Sequence, residues 1–143
     1  MIVIDVNVLL AAFIVQHPLH HAAVRFVADS LKEGGVAVPD VVWSGFARIA
    51  SNPATSTPPV EWSRIRAFAD TIRRHPGYRA DVRAMTSPVE SFLASCHAMG
   101  ARGNKVADAY IAAVATDHNA AVATWDADFD TLPVPVITPA LDD

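Results

Sequence analysis

Cysteine is almost missing from this sequence. Cys96 is the only one, so no internal disulfide can form, and no Cys or His stands at zinc-ligand spacing from it. Disulfide-stapled secreted scaffolds and a structural zinc site are thereby excluded, and a reducing compartment is expected. Nor is there a run of roughly 18 consecutive apolar residues, which excludes a membrane-spanning helix. Met1 leads straight into Ile2-Val3-Ile4-Asp5 rather than into a charged segment with a cleavage site, so a soluble, cytoplasmic protein is expected. Internal repeats and low-complexity tracts are lacking too. Two gaps in charge stand out: residues 106–143 contain no Lys or Arg, and no acid lies between Asp40 and Glu61.

What is present is enough for one ordinary domain, expected to span 1–143: 143 residues, 52% of them hydrophobic. The net charge of −4 conceals a division. Residues 48–105 hold nine of the eleven bases against four acids, a surplus of +5, whereas residues 106–143 hold seven acids. An acidic centre beside a basic region suits a metal-using phosphodiesterase, because a metal requires carboxylates and a polyanion requires cations. Solvated surface charge without a role gives the same counts.

The pattern alternates strands with helices. Ile2-Val3-Ile4 reads as a buried strand running into Asp5, followed by a helix within Val6 to Val15. His20 to Lys32 has helical spacing and stops at Gly34-Gly35, before a strand near Val36-Ala37-Val38. A helix from about Asp40 ends by Asn52-Pro53, and residues 53–59 form a loop. From Val60 to Arg74, the stripe Trp62, Ile65, Phe68, Ala69 and Ile72 predicts one packed face. Ser87-Pro88-Val89-Glu90 has the form of a capping box opening a helix to about Met99. Asn104 is expected to cap a helix from Lys105 to His118. Ala121-Val122-Ala123-Thr124 reads as a strand leading to Trp125-Asp126, and Val136-Ile137 as a last strand. The fold class expected is α/β, a largely parallel central sheet flanked by helices. Ligands of such sheets collect at the carboxyl ends of strands, where Asp5 and Asp126 fall.

Asp108 sits in a helix that is apolar nearly all round, so it is expected to be largely buried, at a cost of several kcal/mol unless a partner or metal meets it. An ion pair with Lys105 is the plain alternative. Asp5 and Asp126 each follow an apolar strand without an obvious turn role. Converging carboxylates repel by about 4 kcal/mol per pair at ~4 Å and an effective dielectric of 20. A divalent cation removes that penalty, and hard oxygen ligands favour Mg²⁺ or Mn²⁺.

Three segments in order carry a resemblance: Val3-Ile4-Asp5-Val6-Asn7-Val8-Leu9-Leu10, then Gly103-Asn104-Lys105-Val106-Ala107-Asp108-Ala109-Tyr110, then Ala123-Thr124-Trp125-Asp126-Ala127-Asp128-Phe129. Together they resemble the VapC toxins of the PIN-domain ribonuclease family, over nearly the whole chain. Trp43-Ser44-Gly45-Phe46-Ala47-Arg48 is similar to a segment of one branch of these toxins. The resemblance implies a PIN-like fold and a Mg²⁺-dependent endoribonuclease that cuts RNA, often tRNA or ribosomal RNA, leaving 5′-phosphate and 3′-hydroxyl ends. It also implies a VapB-type antitoxin and a homodimer. Carried over by position, Asp5 and Asp108 are metal ligands, Asp126 is a further catalytic acid, and Asn7 and Thr124 orient carboxylates or water. Apart from the resemblance, Arg48 is the candidate for substrate phosphate, with Arg64, Arg66 and Arg73 as further candidates, and ordinary solvated face residues are the plain alternative for all four.

One departure stands against this. Many family members have a glutamate in the helix that here contains Ser44-Gly45, so the cluster is one carboxylate short, with Asp40 or Asp128 as substitutes and one metal ion more plausible than two. A binding module with the same fold but little catalysis, serving RNA or an antitoxin, is the alternative. Asp5-Val6-Asn7 also faintly resembles the nucleophile motif of haloacid dehalogenase-type phosphatases, but the second acid of that motif is absent. His17, His20 and His21 read as surface histidines, Cys96 as a small core residue beside His97, and the stripe around Trp62 predicts packing rather than base stacking.

Overall fold

Short runs of small or β-branched residues form four strands: β1 (Ile2–Ile4), β2 (Val36–Ala37), β3 (Ala121–Ala123) and β4 (Val136–Ile137). The computed structural model describes residues 1–86 and 89–141. In it the strands lie in the order β2-β1-β3-β4, every neighbouring pair parallel. Parallel neighbours need crossovers. The described helices are α1 (Val6–Phe13), α2 (His20–Glu33), α3 (Asp40–Ala50), α4 (Trp62–Arg73), α5 (Val89–Met99) and α6 (Asn104–Asp117). A 3₁₀ helix covers Ala127–Thr131. The expected α/β class with a parallel sheet flanked by helices is what the chain adopts.

The chain leaves β1 toward β2 on one side and returns to β3 on the other. Connections therefore diverge between β1 and β3, and a crevice opens at their carboxyl ends. Val3, Ile4 and Val122 are sealed from solvent between the helices, together with Val8, Leu9 and Phe46. Phe13, Phe46 and Phe68 meet with ring centroids 5.2 to 5.3 Å apart, tying α1, α3 and α4 together. Each such pair is worth roughly 0.5–1.5 kcal/mol beyond its buried area. Arg64 lies over the Phe13 ring at 5.1 Å, so this guanidinium is held by a ring face.

Several expectations are corrected locally. Asn104 does not cap α6; Gly103, in left-handed backbone (φ 56°), holds that position and makes no side-chain cap. Trp62 lies in the first turn of α4 and is 62% exposed, while Ile65 and Ile72 of the same stripe are buried. The stripe thus packs from its second turn onward. Cys96 is only partly buried. Ser87 and Pro88, where the capping box was expected, lie outside the described residues, and α5 is described from Val89. His17 and His20 make backbone contacts: His20 Nδ1 lies 2.9 Å from the Ala11 carbonyl, and His17 Nδ1 accepts from the Leu19 N–H at 3.1 Å.

Candidate active site

Register brings the first two polar groups together. Ile4 pairs with Ala123 across β1 and β3, so the residues that follow, Asp5 and Thr124, leave the sheet side by side. The Asp5 N–H still donates to the Ala123 carbonyl at 3.1 Å, extending the ladder by one bond. Both residues are buried, at 5% and 1% exposure.

A buried carboxylate needs partners, and Asp5 has three. Its Oδ1 accepts from the Val6 N–H at 2.6 Å, which makes Asp5 the N-cap of α1, a role its sequence context did not reveal. Its Oδ2 accepts from the Thr124 hydroxyl at 2.7 Å and from Asn7 Nδ2 at 2.9 Å. The Thr124 hydroxyl in turn accepts from Asn7 Nδ2 at 2.8 Å and from the Asp126 N–H at 3.0 Å. One donated and two accepted bonds exhaust what a hydroxyl can make, so its orientation is fixed. Burial pushes the Asp5 carboxyl above its ordinary range, the bonds from Thr124 and Val6 pull it back, and Asp126 raises it further.

Asp126 is the third residue after β3 and caps the 3₁₀ helix, accepting from the Asp128 N–H at 2.9 Å. This tight turn presents both carboxylates toward α6. Oxygens of Asp108, Asp126 and Asp128 lie within 4.8 Å of one another. Asp108 is half-buried rather than largely buried, because the first turn of α6 is open to solvent. Its carboxyl is pushed up to about 6, first by burial and then by the charges of Asp5, Asp126 and Asp128, with Lys105 opposing. Lys105 itself pairs with Asp128 at 3.4 Å.

Asp5, Asn7, Asp108 and Asp126 line one crevice of about 260 Å³, with Gly45 and Arg48 of α3 on the facing wall. The exposed Arg48 thus shares the crevice with the acids. Gly45 marks a close approach of α3 to the start of α1: a Cβ there would lie 3.0 Å from Val6 Cγ2. Asp40 is not part of this wall. It sits 3.9 Å from Arg83, both exposed, on another face of α3. Asp128 joins the carboxylate cluster, and Asp40 does not.

Asp5, Asn7, Arg48, Asp108 and Asp126 are gathered around this crevice, with Thr124 bonded to Asp5, whereas Arg66 and Arg73 line a different cavity and Arg64 lies over Phe13. The trio within 4.8 Å contains Asp108 and Asp126 but has Asp128 as its third member rather than Asp5, which stands behind it. Lys105 was weighed only against Asp108, yet its ion pair is with Asp128. The spacing Asp126-Ala127-Asp128 was the available signal, since a short capped turn keeps both acids near one point. Three mutually repelling carboxylates at this spacing are a donor set of hard oxygens matched to one divalent cation with ligand distances of roughly 2.0–2.6 Å, so the residues fit such an ion. No described helix is long and apolar enough to cross a membrane.

Comparison with known proteins identifies the family and the fold. The family described as PIN domain matches residues 2–135. Ribonuclease VapC25 of Mycobacterium tuberculosis is 33% identical over 135 residues, covering 90% of this chain and 91% of the relative. Ribonuclease VapC43 of the same species is 30% identical over 142 residues, covering 87% and 83%. The fold is shared with the crystal structure of FitAcB from Neisseria gonorrhoeae, at 21% identity and a TM-score of 0.64 over 97% of this chain and 98% of that one. It is shared also with VapBC2 from Rickettsia felis bound to a DNA fragment from its promoter, at 18% identity and a TM-score of 0.62 over 96% and 98%. The buried Asp5 at the end of β1, the acids of α6 and of the turn after β3, and this agreement along nearly the whole length lead to one conclusion: the chain belongs to the PIN-domain family, in its VapC branch.

Proposed function

We propose that this protein is a divalent-metal-dependent endoribonuclease toxin that hydrolyses RNA phosphodiester bonds and is restrained by a VapB-type antitoxin. The observation that carries the reading is the cluster of Asp108, Asp126 and Asp128, backed by Asp5, held by three hydrogen bonds at the switch point of a parallel sheet. The relatives' names, ribonucleases VapC25 and VapC43, support the reaction class. The complexes FitAcB and VapBC2 support an antitoxin partner.

Asp5 and Asp108 are assigned as metal ligands with Asp126 as the further acid, and Asp128 adds a carboxylate to a cluster that lacks the glutamate of α3. Mg²⁺ is the proposed ion, with Mn²⁺ as its substitute. When bound, the ion acidifies water and stabilises charge developing on the phosphoryl oxygens. The chain's own groups do the rest. Asn7 and Thr124 hold the Asp5 carboxylate in one orientation. Asp108, whose proton affinity is raised, accepts a proton near pH 6 when no cation offsets its neighbours. Arg48 at the rim contacts a substrate phosphate, and Lys105 limits the repulsion on Asp128. The RNA is tRNA or ribosomal RNA, and the active species is a homodimer in the cytoplasm.

The test is cleavage of total tRNA by purified protein in Mg²⁺. Asp108→Asn should abolish cleavage while circular dichroism and melting remain those of a folded protein; full activity in that variant would refute the assignment.

A further inference from the structure

A second cavity, of about 510 Å³, lies between α3, α4 and the loop that carries Tyr78 and Arg83. This is a volume suited to a small ligand. Helix α3 divides it from the acidic crevice. Val41, Gly45 and Arg48 face the crevice, and Asp40, Trp43 and Ala47 face the cavity. A single strand of RNA that crosses α3 touches both.

The lining has three chemical features. The first is ring surface. Trp62, 62% exposed, stands at the cavity as an apolar face in water. Trp43 donates its indole N–H to the Tyr78 hydroxyl at 3.2 Å, and that hydroxyl donates to the Val38 carbonyl at 3.3 Å. Their polar atoms are thus already engaged, and what they offer a ligand is ring surface. The second is positive charge. Arg66 and Arg73 line the cavity, and both lean on Asp70, at 3.8 and 3.5 Å, as does Arg74 at 3.4 Å. Three guanidiniums around one carboxylate leave cationic charge for an anion. The third is a paired donor and acceptor. The Asp40 N–H donates to the Arg83 carbonyl at 2.9 Å, which holds the two residues together, while their side chains stand 3.9 Å apart in a loose, exposed pair.

Rings and cations together describe a site for a nucleotide. The carboxylate selects among bases. Guanine presents two adjacent donors, N1–H and the N2 amine, to the two oxygens of a carboxylate, and its O6 and N7 accept from a guanidinium. No other RNA base offers that pair of donors beside an acceptor. An acidic peptide would find the arginines but be repelled by Asp40, so the base is the better match. We infer that the cavity between α3 and α4 binds an unpaired guanine of the RNA substrate, a few nucleotides from the phosphodiester cut in the acidic crevice. This rests on the ribonuclease reading above and adds to it a source of sequence preference.

The experiment uses the full chain carrying Asp108→Asn, so that RNA is bound but not cut. Probes are a fluorescent oligouridine RNA, the same oligomer with one internal guanosine, and the same with inosine, which lacks the N2 amine. Fluorescence anisotropy should give roughly tenfold tighter binding with guanosine than with uridine alone, and inosine should lie between. Trp62→Ala should weaken guanosine-RNA binding roughly tenfold, and Trp62→Phe should restore most of it. Asp40→Asn should abolish the preference for guanosine while leaving oligouridine binding intact. Equal affinities for all three probes, or a Trp62→Ala variant that binds as well as its parent, overturn the inference. So does Trp62-dependent binding of a synthetic acidic amphipathic peptide with no change in RNA affinity, which makes the cavity a peptide groove. If the unsubstituted protein still cleaves tRNA in those cases, only the guanine pocket falls. If it neither cleaves nor binds RNA, the ribonuclease reading falls and takes the pocket with it.

Discussion

Thr124 donates its hydroxyl proton to the Asp5 carboxylate at 2.7 Å, across 119 positions of sequence. That bond joins β1 to β3 beyond the last backbone pair and orients the acid on which the crevice is built.

Replacing Thr124 by Val keeps the shape but removes the donor. The buried Asp5 oxygen then loses a bond to a charged group, at a cost of about 1.5–3 kcal/mol, and its carboxyl rises further because the Thr124 bond had been lowering it. Urea unfolding should show a midpoint reduced accordingly, with RNA cleavage falling in parallel. Thr124→Ser, which keeps the hydroxyl, should retain both.

Asp108 gives the metal-free protein a pH-dependent weakness. Its carboxyl is raised from 3.8 to about 6 in the fold, so its contribution favours the fold below about pH 4 and is lost as pH rises through about 6. For a half-buried group the loss is on the order of 1 kcal/mol after solvent screening. With chelator present, Asp108→Asn should therefore melt above the parent at pH 7.5 and level with it at pH 3.5. A constant gap between the two proteins across that range would contradict the charge-repulsion account.

Metal binding should release a proton over the same range. Below about pH 6 the proton on Asp108 must leave before the carboxylate can ligate, so Mg²⁺ affinity is expected to fall by up to roughly tenfold per pH unit there. Calorimetry in two buffers of different ionisation enthalpy measures the protons released directly. Affinity independent of pH between 7.5 and 5 would remove Asp108 from the ligand set.

The two candidate substitutes for the missing glutamate separate cleanly. Asp128→Asn should weaken Mg²⁺ binding severalfold, since Asp128 lies with Asp108 and Asp126. Asp40→Asn should leave metal affinity unchanged, because Asp40 faces Arg83. Titration of each variant with Mn²⁺, followed by paramagnetic relaxation of water, reads the difference.

The strands were legible because each is a short apolar run ending at an acid or a turn, and a parallel order follows once helices separate them. The acid at the end of β1 could be picked out, but its duty as cap of α1 could not, since that depends on a side-chain oxygen meeting the next N–H. Asn104 misled because capping preference is a local tendency, and Gly103 can take a left-handed backbone at lower cost. Trp62 misled for a different reason: periodicity says which residues share a face, not how far along the helix that face stays covered. The meeting of Asp126 with Asp128 depends on a turn whose geometry periodicity does not encode.

The register Ile4 to Ala123 has a consequence for how such a protein is made. A ribosome that has finished α5 has released every residue of β1, β2 and α3, yet Asp5 then lacks Thr124 and the acids of α6 and of the turn after it. Asp5 and the three clustered carboxylates can meet only once the chain has emerged through Asp128, so the crevice is completed long after its first strand has been made.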